Sequence, residues 1–306
     1  MSVLTVVKLL VDKCHMSPNP DLSLTEYIPT LYMERCLEEH ESLVENILNW
    51  TVGSENKVRF GRRPARHDLF QEPEKYLLAP GTPVHHNTRQ NLLYDFFNSS
   101  NETVPHVEGP LWLKSEGKKN WKKHSFVLKS SGLYYLPKGK KSSKEPACLV
   151  TFDVNQVYIG IGWKKKFKSP TDFCFAIKHP RIQEKSPKYI RYLCAETETS
   201  LQQWITGIRI VKNRSKLFEN YQNLVQDIAH QESLTNRDGM LEGEKRAEKD
   251  ETVPENNHVN NEIIYSPSSE TESKSFDSGV SSTEEVRLLR RLGIICSNVL
   301  TYISHF

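Results

Sequence analysis

Residues 111–139 read LWLKSEGKKNWKKHSFVLKSSGLYYLPKG. Two short stretches rich in apolar and aromatic residues flank a lysine-rich loop, a Ser-Ser-Gly turn follows, and a third apolar stretch stops at Pro137. This is the pattern of three short antiparallel strands joined by tight connections. Working outward, the same texture recurs, and strands are expected at Pro110 to Lys114, Trp121 to Leu128, Gly132 to Leu136, Cys148 to Phe152, Val157 to Ile161, Phe173 to Lys178 and Tyr189 to Ala195. After Glu196 the period changes. Leu201, Trp204, Ile205, Ile208 and Val211 fall at helical spacing, with Gln202, Gln203, Arg209 and Lys212 on the other side. Seven short strands and one amphipathic helix have few packing solutions. A strongly bent antiparallel sheet leaves an open end, and a helix bearing a large aromatic residue plugs it.

The charge of the chain is concentrated in this region. The formal net charge is only +3, yet residues 107–218 carry 23 Lys and Arg against 8 Asp and Glu, while the segments on either side are acidic. A local excess of that size is the footprint of a polyanionic partner, either a lipid headgroup surface or a nucleic acid. Lys114, Lys118, Lys119, Lys122 and Lys123 lie within ten residues in the loop between the first two strands and its arms, with Glu116 the only opposing charge. An inositol phosphate presents several anionic groups close together, so its recognition needs clustered cations rather than one strong partner. A second basic group, Trp163-Lys164-Lys165-Lys166-Phe167-Lys168, follows the fifth strand, and Lys138, Lys140, Lys141 and Lys144 form a third. Both are expected to act as accessory membrane contacts. No recognition-helix, zinc or RNA-binding signature accompanies the charge, which weighs against nucleic acid.

Other function classes find little support. There is no phosphate-cradling GxxxxGK loop, no HExxH and no GxSxG, so no catalytic residue, metal ligand or cofactor site is expected. Glu38, Glu39 and Glu41 cluster with His40, and this group is expected to be a solvated acidic surface at a turn and helix start. The six cysteines show no CxxC pairing and sit mainly among apolar neighbours, as reduced thiols do in a cytosolic protein. No apolar run reaches the ~18–20 residues of a membrane span.

LWLKSEGKKNWKKHSFVLKSSGLYYLPKG resembles the first three strands of a pleckstrin-homology (PH) domain, and ETETSLQQWITGIRIVK (residues 196–212) resembles its C-terminal helix. GKKNWKKHSFVL, GLYYLPKGK, SPTDFCFAIKHPRIQ and LCAETETSLQQWITGIRIVK, followed by LFENYQNLV, are most similar to the RIAM/lamellipodin family. The growth-factor-receptor-bound adaptors with an SH2 domain come next. Both families place a Ras-associating domain ahead of the PH domain. Upstream, TVVKLLVDKCH reads as a helix with Val3, Val6, Val7, Leu10, Val11 and Cys14 apolar. LTEYIPTLYMERCLEEHESLVENILNW and NKVRFGRR resemble the later strands and helix of a ubiquitin-like Ras-associating fold, whose opening hairpin has no counterpart in this sequence. A sheet lacking a central strand is expected to be only marginally ordered.

The resemblance implies a mainly β protein with helices. Its expected layout is an incomplete Ras-associating region at 1–80, a linker with a short helix at 81–106, a seven-stranded bent PH barrel with its capping helix at 107–225, a disordered acidic and Ser-rich tail at 226–285, and a short apolar segment at 286–306. The linker helix is expected over Thr88 to Asn98, with Leu92, Leu93, Phe96 and Phe97 on one side.

The resemblance also implies a signalling adaptor at the plasma membrane, linking small-GTPase and phosphoinositide signals to actin or adhesion machinery. The family's phosphoinositide positions map to Lys114, Lys122 and His124, with Tyr135 in the place of a phosphate-contacting hydroxyl. His124 departs from the family's Arg. An imidazole gives up its charge in the physiological range and a guanidinium does not, so headgroup binding is expected to strengthen as pH falls. Lys8 and Lys13 are the candidate GTPase contacts on the first helix. The alternative is a scaffold whose PH fold binds protein and whose lysines are incidental.

In the tail, Asp277-Ser278-Gly279-Val280-Ser281-Ser282 has the form of a phospho-dependent recognition site through Ser278 and Ser282. The final segment carries Arg287, Arg290 and Arg291 ahead of an interrupted apolar stretch. The residues leave open an interfacial anchor and a chain end without function.

Overall fold

The computed structural model describes residues 1–79, 82, 89–99, 103–116, 120–137, 145–250 and 295–296. Lys118, Lys119, Lys138, Lys140, Lys141, Lys144, Ser278 and Ser282 lie outside them, as does most of the final segment. Met1–Val225 form one compact unit, and α8 (Ser215–Asp250) passes at Gln226 into a second.

The chain opens with helix α1 (Val3–Lys13), whose first turn is capped by the Ser2 hydroxyl accepting from the Thr5 backbone N–H at 3.2 Å. Val3, Val6, Val7, Leu10 and Val11 are all buried, and the helix packs on strand β1 (Leu22–Ile28). β1 pairs antiparallel with β2 (Met33–Cys36) on one side and β3 (Lys57–Arg62) on the other. A short helix α2 (Leu43–Leu48) stands between β2 and β3, with the Ser42 hydroxyl at its N-cap. Leu24, Val58 and Phe60 are buried within this part, while Ile28, Leu31 and Met33 pack with Tyr158 and Trp163 from further along the chain. On its far side β3 pairs in parallel with β11 (Ile295–Cys296), in the register Ile295↔Arg59 and Cys296↔Phe60.

Helices α3 (Asp68–Gln71), α4 (Pro73–Leu77) and α5 (Arg89–Asn98) follow. Of the four apolar residues on the linker helix, Leu93 and Phe97 are buried, while Leu92 and Phe96 flank them. They meet Phe70, Tyr76 and Leu77 and the start of α8, where Phe97 stacks on Phe218 with ring centroids 5.4 Å apart.

All seven expected strands are present: β4 (Glu108–Lys114), β5 (Trp121–Lys129), β6 (Gly132–Leu136), β7 (Ala147–Thr151), β8 (Gln156–Gly160), β9 (Cys174–Lys178) and β10 (Arg191–Cys194). They pair antiparallel in the order β8-β9-β10-β4-β5-β6-β7. Helix α7 (Glu198–Asn213) closes the structure, its N-terminus capped by the Thr197 hydroxyl, which accepts from the Ser200 backbone N–H at 3.1 Å. Leu201, Trp204, Ile205, Ile208 and Val211 enter the core formed by Leu111, Phe126, Leu133, Phe175 and Leu193. Each fully buried side chain of this kind contributes about 1.5–3 kcal/mol. Between β8 and β9 one helix was not anticipated. The basic run after β8 is a short helix, α6 (Trp163–Phe167), held between two left-handed residues, Gly162 and Lys168.

The two halves share one continuous sheet. β2 pairs antiparallel with β8, placing Met33 opposite Gly160 and Glu34 opposite Ile159. The Ile161 backbone N–H and the Trp163 indole N–H both donate to the Tyr32 carbonyl, each at 2.8 Å. This pairing covers the β2 edge.

The acidic cluster corrects the sequence reading. Glu38 and Glu39 are buried, not solvated, because cations from both halves converge on them. Arg209 on α7 donates to Glu38 through Nε at 2.7 Å and Nη2 at 3.2 Å, and also to the Arg66 carbonyl at 2.9 Å. Arg66 lies 3.3 Å from Glu38 and 2.8 Å from Glu39. Glu41 takes a second buried guanidinium, Arg35, at 2.8 Å. Composition marks such residues as surface charges, and only the tertiary pairing reverses that.

In the tail, α8 is described as far as Asp250. Gln231–Asp250 is short of large apolar residues and carries four Glu, two Lys and two Arg, residue types of good helix propensity.

Candidate functional site

The β4–β5 hairpin carries the candidate site, and its register decides where each cation points. The backbone N–H of Ser115 donates to the Asn120 carbonyl at 2.9 Å and closes the loop. Directly opposed residues share a face of the sheet. Leu111 faces His124, Leu113 faces Lys122, and Lys114 faces Trp121. Leu111 and Leu113 belong to the barrel core, so Lys122 and His124 point to the inner face at its open end. Tyr135 joins them from β6, opposite core residue Phe126. The His124 ring meets Tyr135 edge-on at 5.3 Å and Phe126 at 6.4 Å, and its Nδ1 lies 3.4 Å from the Leu136 carbonyl. Lys122 is exposed and makes no ion pair among the described residues.

Lys114 and Lys123 fall on the other face. Lys123 lies over the Trp112 ring at 5.2 Å and is paired with Glu196. Lys114 lies 5.8 Å from the centroid of Tyr192, and burial lowers its pKa below the ordinary lysine value. The structure therefore gathers Lys122, His124 and Tyr135 into one group and sets Lys114 and Lys123 behind it, because side chains alternate along a strand.

The second basic group stands beside this back face. The Trp121 indole N–H donates to the Phe167 carbonyl at 3.1 Å, fastening α6 to the hairpin. Lys166 sits over Tyr32 at 4.4 Å, Lys164 pairs with Asp172 at 3.5 Å, and Lys165 is exposed. On α1, Lys13 is exposed in the last turn and Lys8 is half-buried.

Two residues that the sequence reading passed over belong here. Arg191 donates to Glu116 at 2.6 Å, so the one acid in the loop is already engaged. Lys185 lies over the Phe167 ring at 5.6 Å. Both come from the β9–β10 segment, whose spacing of Arg181, Lys185, Lys188 and Arg191 is visible in the sequence but whose position beside α6 is not.

A cavity of about 580 Å³ lies elsewhere, between α4, the start of β4 and α7, lined by Tyr76, Val107, Pro110 and Trp204 among others. Among the described residues no three His, Cys, Asp or Glu side chains converge as metal ligands, and no helix is long and apolar enough to cross a membrane. No disulfide joins Cys14, Cys36, Cys148, Cys174 or Cys194.

A bent seven-stranded sheet plugged by a tryptophan-bearing helix, behind an α-helix packed on three strands, defines a PH domain preceded by a Ras-associating-like region. Residues 105–213 match the PH domain family and residues 1–66 the RA like domain family. The chain is 40% identical over 303 residues to the Homo sapiens "Ras-associated and pleckstrin homology domains-containing protein 1", covering 97% of this chain and 23% of that protein. It is 40% identical over 243 residues to the Gallus gallus "Amyloid beta A4 precursor protein-binding family B member 1-interacting protein", covering 78% of this chain and 50% of that one. The crystal structure of the coiled-coil, RA and PH domains of lamellipodin superposes with a TM-score of 0.68 at 42% identity, covering 74% of this chain and 84% of that one. Human growth factor receptor-bound protein 14 is a more distant relative, 34% identical over 223 residues. The chain belongs to the RIAM/lamellipodin family of adaptors with Ras-associating and PH domains. It spans between about a quarter and a half of the length of these two curated relatives.

Proposed function

We propose that this chain binds phosphoinositide-containing membrane through the inner rim of its PH domain, and that it couples small-GTPase signals to actin or adhesion machinery at the plasma membrane. The observation that carries the lipid reading is the convergence of Lys122, His124 and Tyr135 at the open end of the barrel, beside a loop that adds Lys118 and Lys119 in sequence. Lys114 at the base of the loop and Lys164, Lys165 and Lys166 on α6 add to the attraction of an anionic leaflet. The family's domain pair supports the GTPase reading, with Lys8 and Lys13 as contacts on α1.

Sedimentation with vesicles carrying different phosphoinositides tests the lipid reading. Lys122→Glu replaces an attraction by a repulsion, about 2 kcal/mol at ~1 kcal/mol per charge near an anionic surface, or roughly thirtyfold in affinity. His124→Arg, which puts a permanent guanidinium at this position, is expected to tighten binding at pH 7.5. Wild-type binding by Lys122→Glu would favour a protein-binding scaffold instead. Retention of the chain on a GTP-loaded Ras-like GTPase but not on its GDP form, lost in Lys8→Glu/Lys13→Glu, is the outcome expected of the N-terminal region.

A further inference from the structure

We propose that Cys174 and Cys194 form an oxidation site, a cross-strand dithiol under the Thr171 turn that hydrogen peroxide closes to a disulfide. The site uses none of the residues assigned to lipid and does not rest on that reading.

Geometry brings the two sulfurs together. β9 pairs with β10 in a register that sets Cys194 directly opposite Cys174. The Ala195 backbone N–H donates to the Phe173 carbonyl at 2.8 Å, so the adjacent pair is the hydrogen-bonded one and the cysteines form a non-hydrogen-bonded pair. Cα atoms in such pairs lie about 4.5 Å apart, within the ~4.4–6.8 Å that a disulfide spans. Opposed residues also share a face of the sheet, and both sulfurs turn to one oxygen. The Cys174 thiol donates to the Thr171 carbonyl at 3.3 Å, and the Cys194 thiol reaches the same carbonyl at 3.8 Å.

The two thiols are chemically unequal. A hydrogen bond from Cys174 brings the Cys194 pKa down to about 7 against the burial that raises it, and the Thr171 hydroxyl, 3.0 Å from the sulfur, adds to the lowering. The same bond, with burial, pushes the Cys174 thiol up. Cys194 is thus the attacking thiolate and Cys174 the resolving thiol. The Cys194 sulfur attacks the peroxide O–O bond and takes one oxygen as a sulfenic acid, while the other oxygen leaves as water. The Cys174 sulfur then attacks the oxidised sulfur, the S–S bond forms, and the sulfenic hydroxyl leaves with the Cys174 proton as a second water. Two thiols lose two electrons and the peroxide gains them.

Access runs through one turn. Both cysteines are 0% exposed, but Thr171, which both sulfurs touch, is only half-buried and lies between exposed Pro170 and Asp172. Its hydroxyl is a latch, donating to the Ala195 carbonyl at 2.6 Å and accepting from the Phe173 backbone N–H at 3.2 Å. Local opening of this latch admits the oxidant, whereas Cys148 is exposed at all times.

The test treats the folded full chain with hydrogen peroxide at neutral pH, blocks remaining thiols with iodoacetamide in denaturant, and digests with trypsin without reduction. The expected product joins residues 169–178 to residues 192–209 through Cys174 and Cys194, separates on addition of dithiothreitol, and forms equally in Cys148→Ser. Thr171→Val removes the latch hydroxyl and should speed its formation about fivefold, the factor one lost hydrogen bond carries. Recovery of both peptides with alkylated cysteines while Cys148 is oxidised would overturn the site. So would a linked product that appears only when peroxide is added in denaturant, or one formed no faster in Thr171→Val.

Discussion

Replacing Glu38 by Gln probes the ion network that locks α7 to the N-terminal half. The carboxylate receives Arg209 at 2.7 and 3.2 Å and lies 3.3 Å from Arg66, whose side chain is 3% exposed. An amide keeps the shape but not the charge, leaving two enclosed guanidinium groups short of one counterion. Removing one partner of a buried pair costs about 3–5 kcal/mol. Arg66 keeps Glu39 at 2.8 Å and Arg209 keeps the Arg66 carbonyl at 2.9 Å, so the lower end, about 3 kcal/mol, applies. With a guanidinium slope of about 4 kcal/mol per molar, the unfolding midpoint at pH 7 should drop by about 0.7 M.

The pH dependence gives a second check. Burial alone would raise the Glu38 pKa, but the Arg209 and Arg66 guanidinium groups outweigh it and hold the pKa below its ordinary value of 4.5. A carboxyl whose pKa is depressed by folding adds stability above its unfolded pKa, and that contribution drains away as acid protonates it in the folded state. The gap between wild type and Glu38→Gln should therefore be full at neutral pH and narrow as the pH drops below 4.5. Equal midpoints at pH 7, or a gap that widens on acidification, would refute this account of the network.

Lys178 is buried beneath Tyr158, 4.1 Å from the ring, and burial lowers its pKa to about 8. Lys178→Met should add on the order of 3 kcal/mol at pH 7, less what the lost carbonyl bonds give back, and urea melts should show the gain fading between pH 8 and pH 10.5. A β-carbon on Gly160 would come within 2.5 Å of the Trp163 indole, so Gly160→Ala should cost about 1–3 kcal/mol and shift tryptophan emission as that ring is displaced. An unchanged melting temperature and spectrum would contradict the packing at this position. Ile295→Pro removes a backbone donor from the short strand beside β3, and hydrogen exchange should then accelerate at Arg59 and Phe60. Unaltered protection there would show that β3 does not depend on this neighbour.

The PH barrel could be read from the sequence because its strands are local. Leu111, Leu113, Phe126 and Leu133 lie in short stretches rich in apolar and aromatic residues and bounded by Gly, Pro, Ser or Lys, and Trp204 sits in a clean helical stripe. The pairing of β2 with β8 could not be read, since Met33 and Gly160 are far apart in the chain and neither stretch marks its partner. The same holds for Glu38 and Glu39, which look like surface acids until Arg66 and Arg209 arrive. The cluster of lysines is visible in the sequence, yet the placing of Lys122 on one face and Lys114 and Lys123 on the other follows from register, which lysine spacing alone does not reveal. Lys185 was missed because its meeting with Phe167 depends on how the β9–β10 segment folds back onto α6.

The hydrogen-bonded seam between Met33–Glu34 and Ile159–Gly160 joins the two domains through the sheet itself. A protein seated on the N-terminal strands and a bilayer seated on the hairpin tip would meet at a bearing set by the sheet itself, as on a single stiff plank. No tether entropy is then lost when the second contact follows the first, and a docking partner whose shape collides with the lipid surface at that bearing is excluded outright.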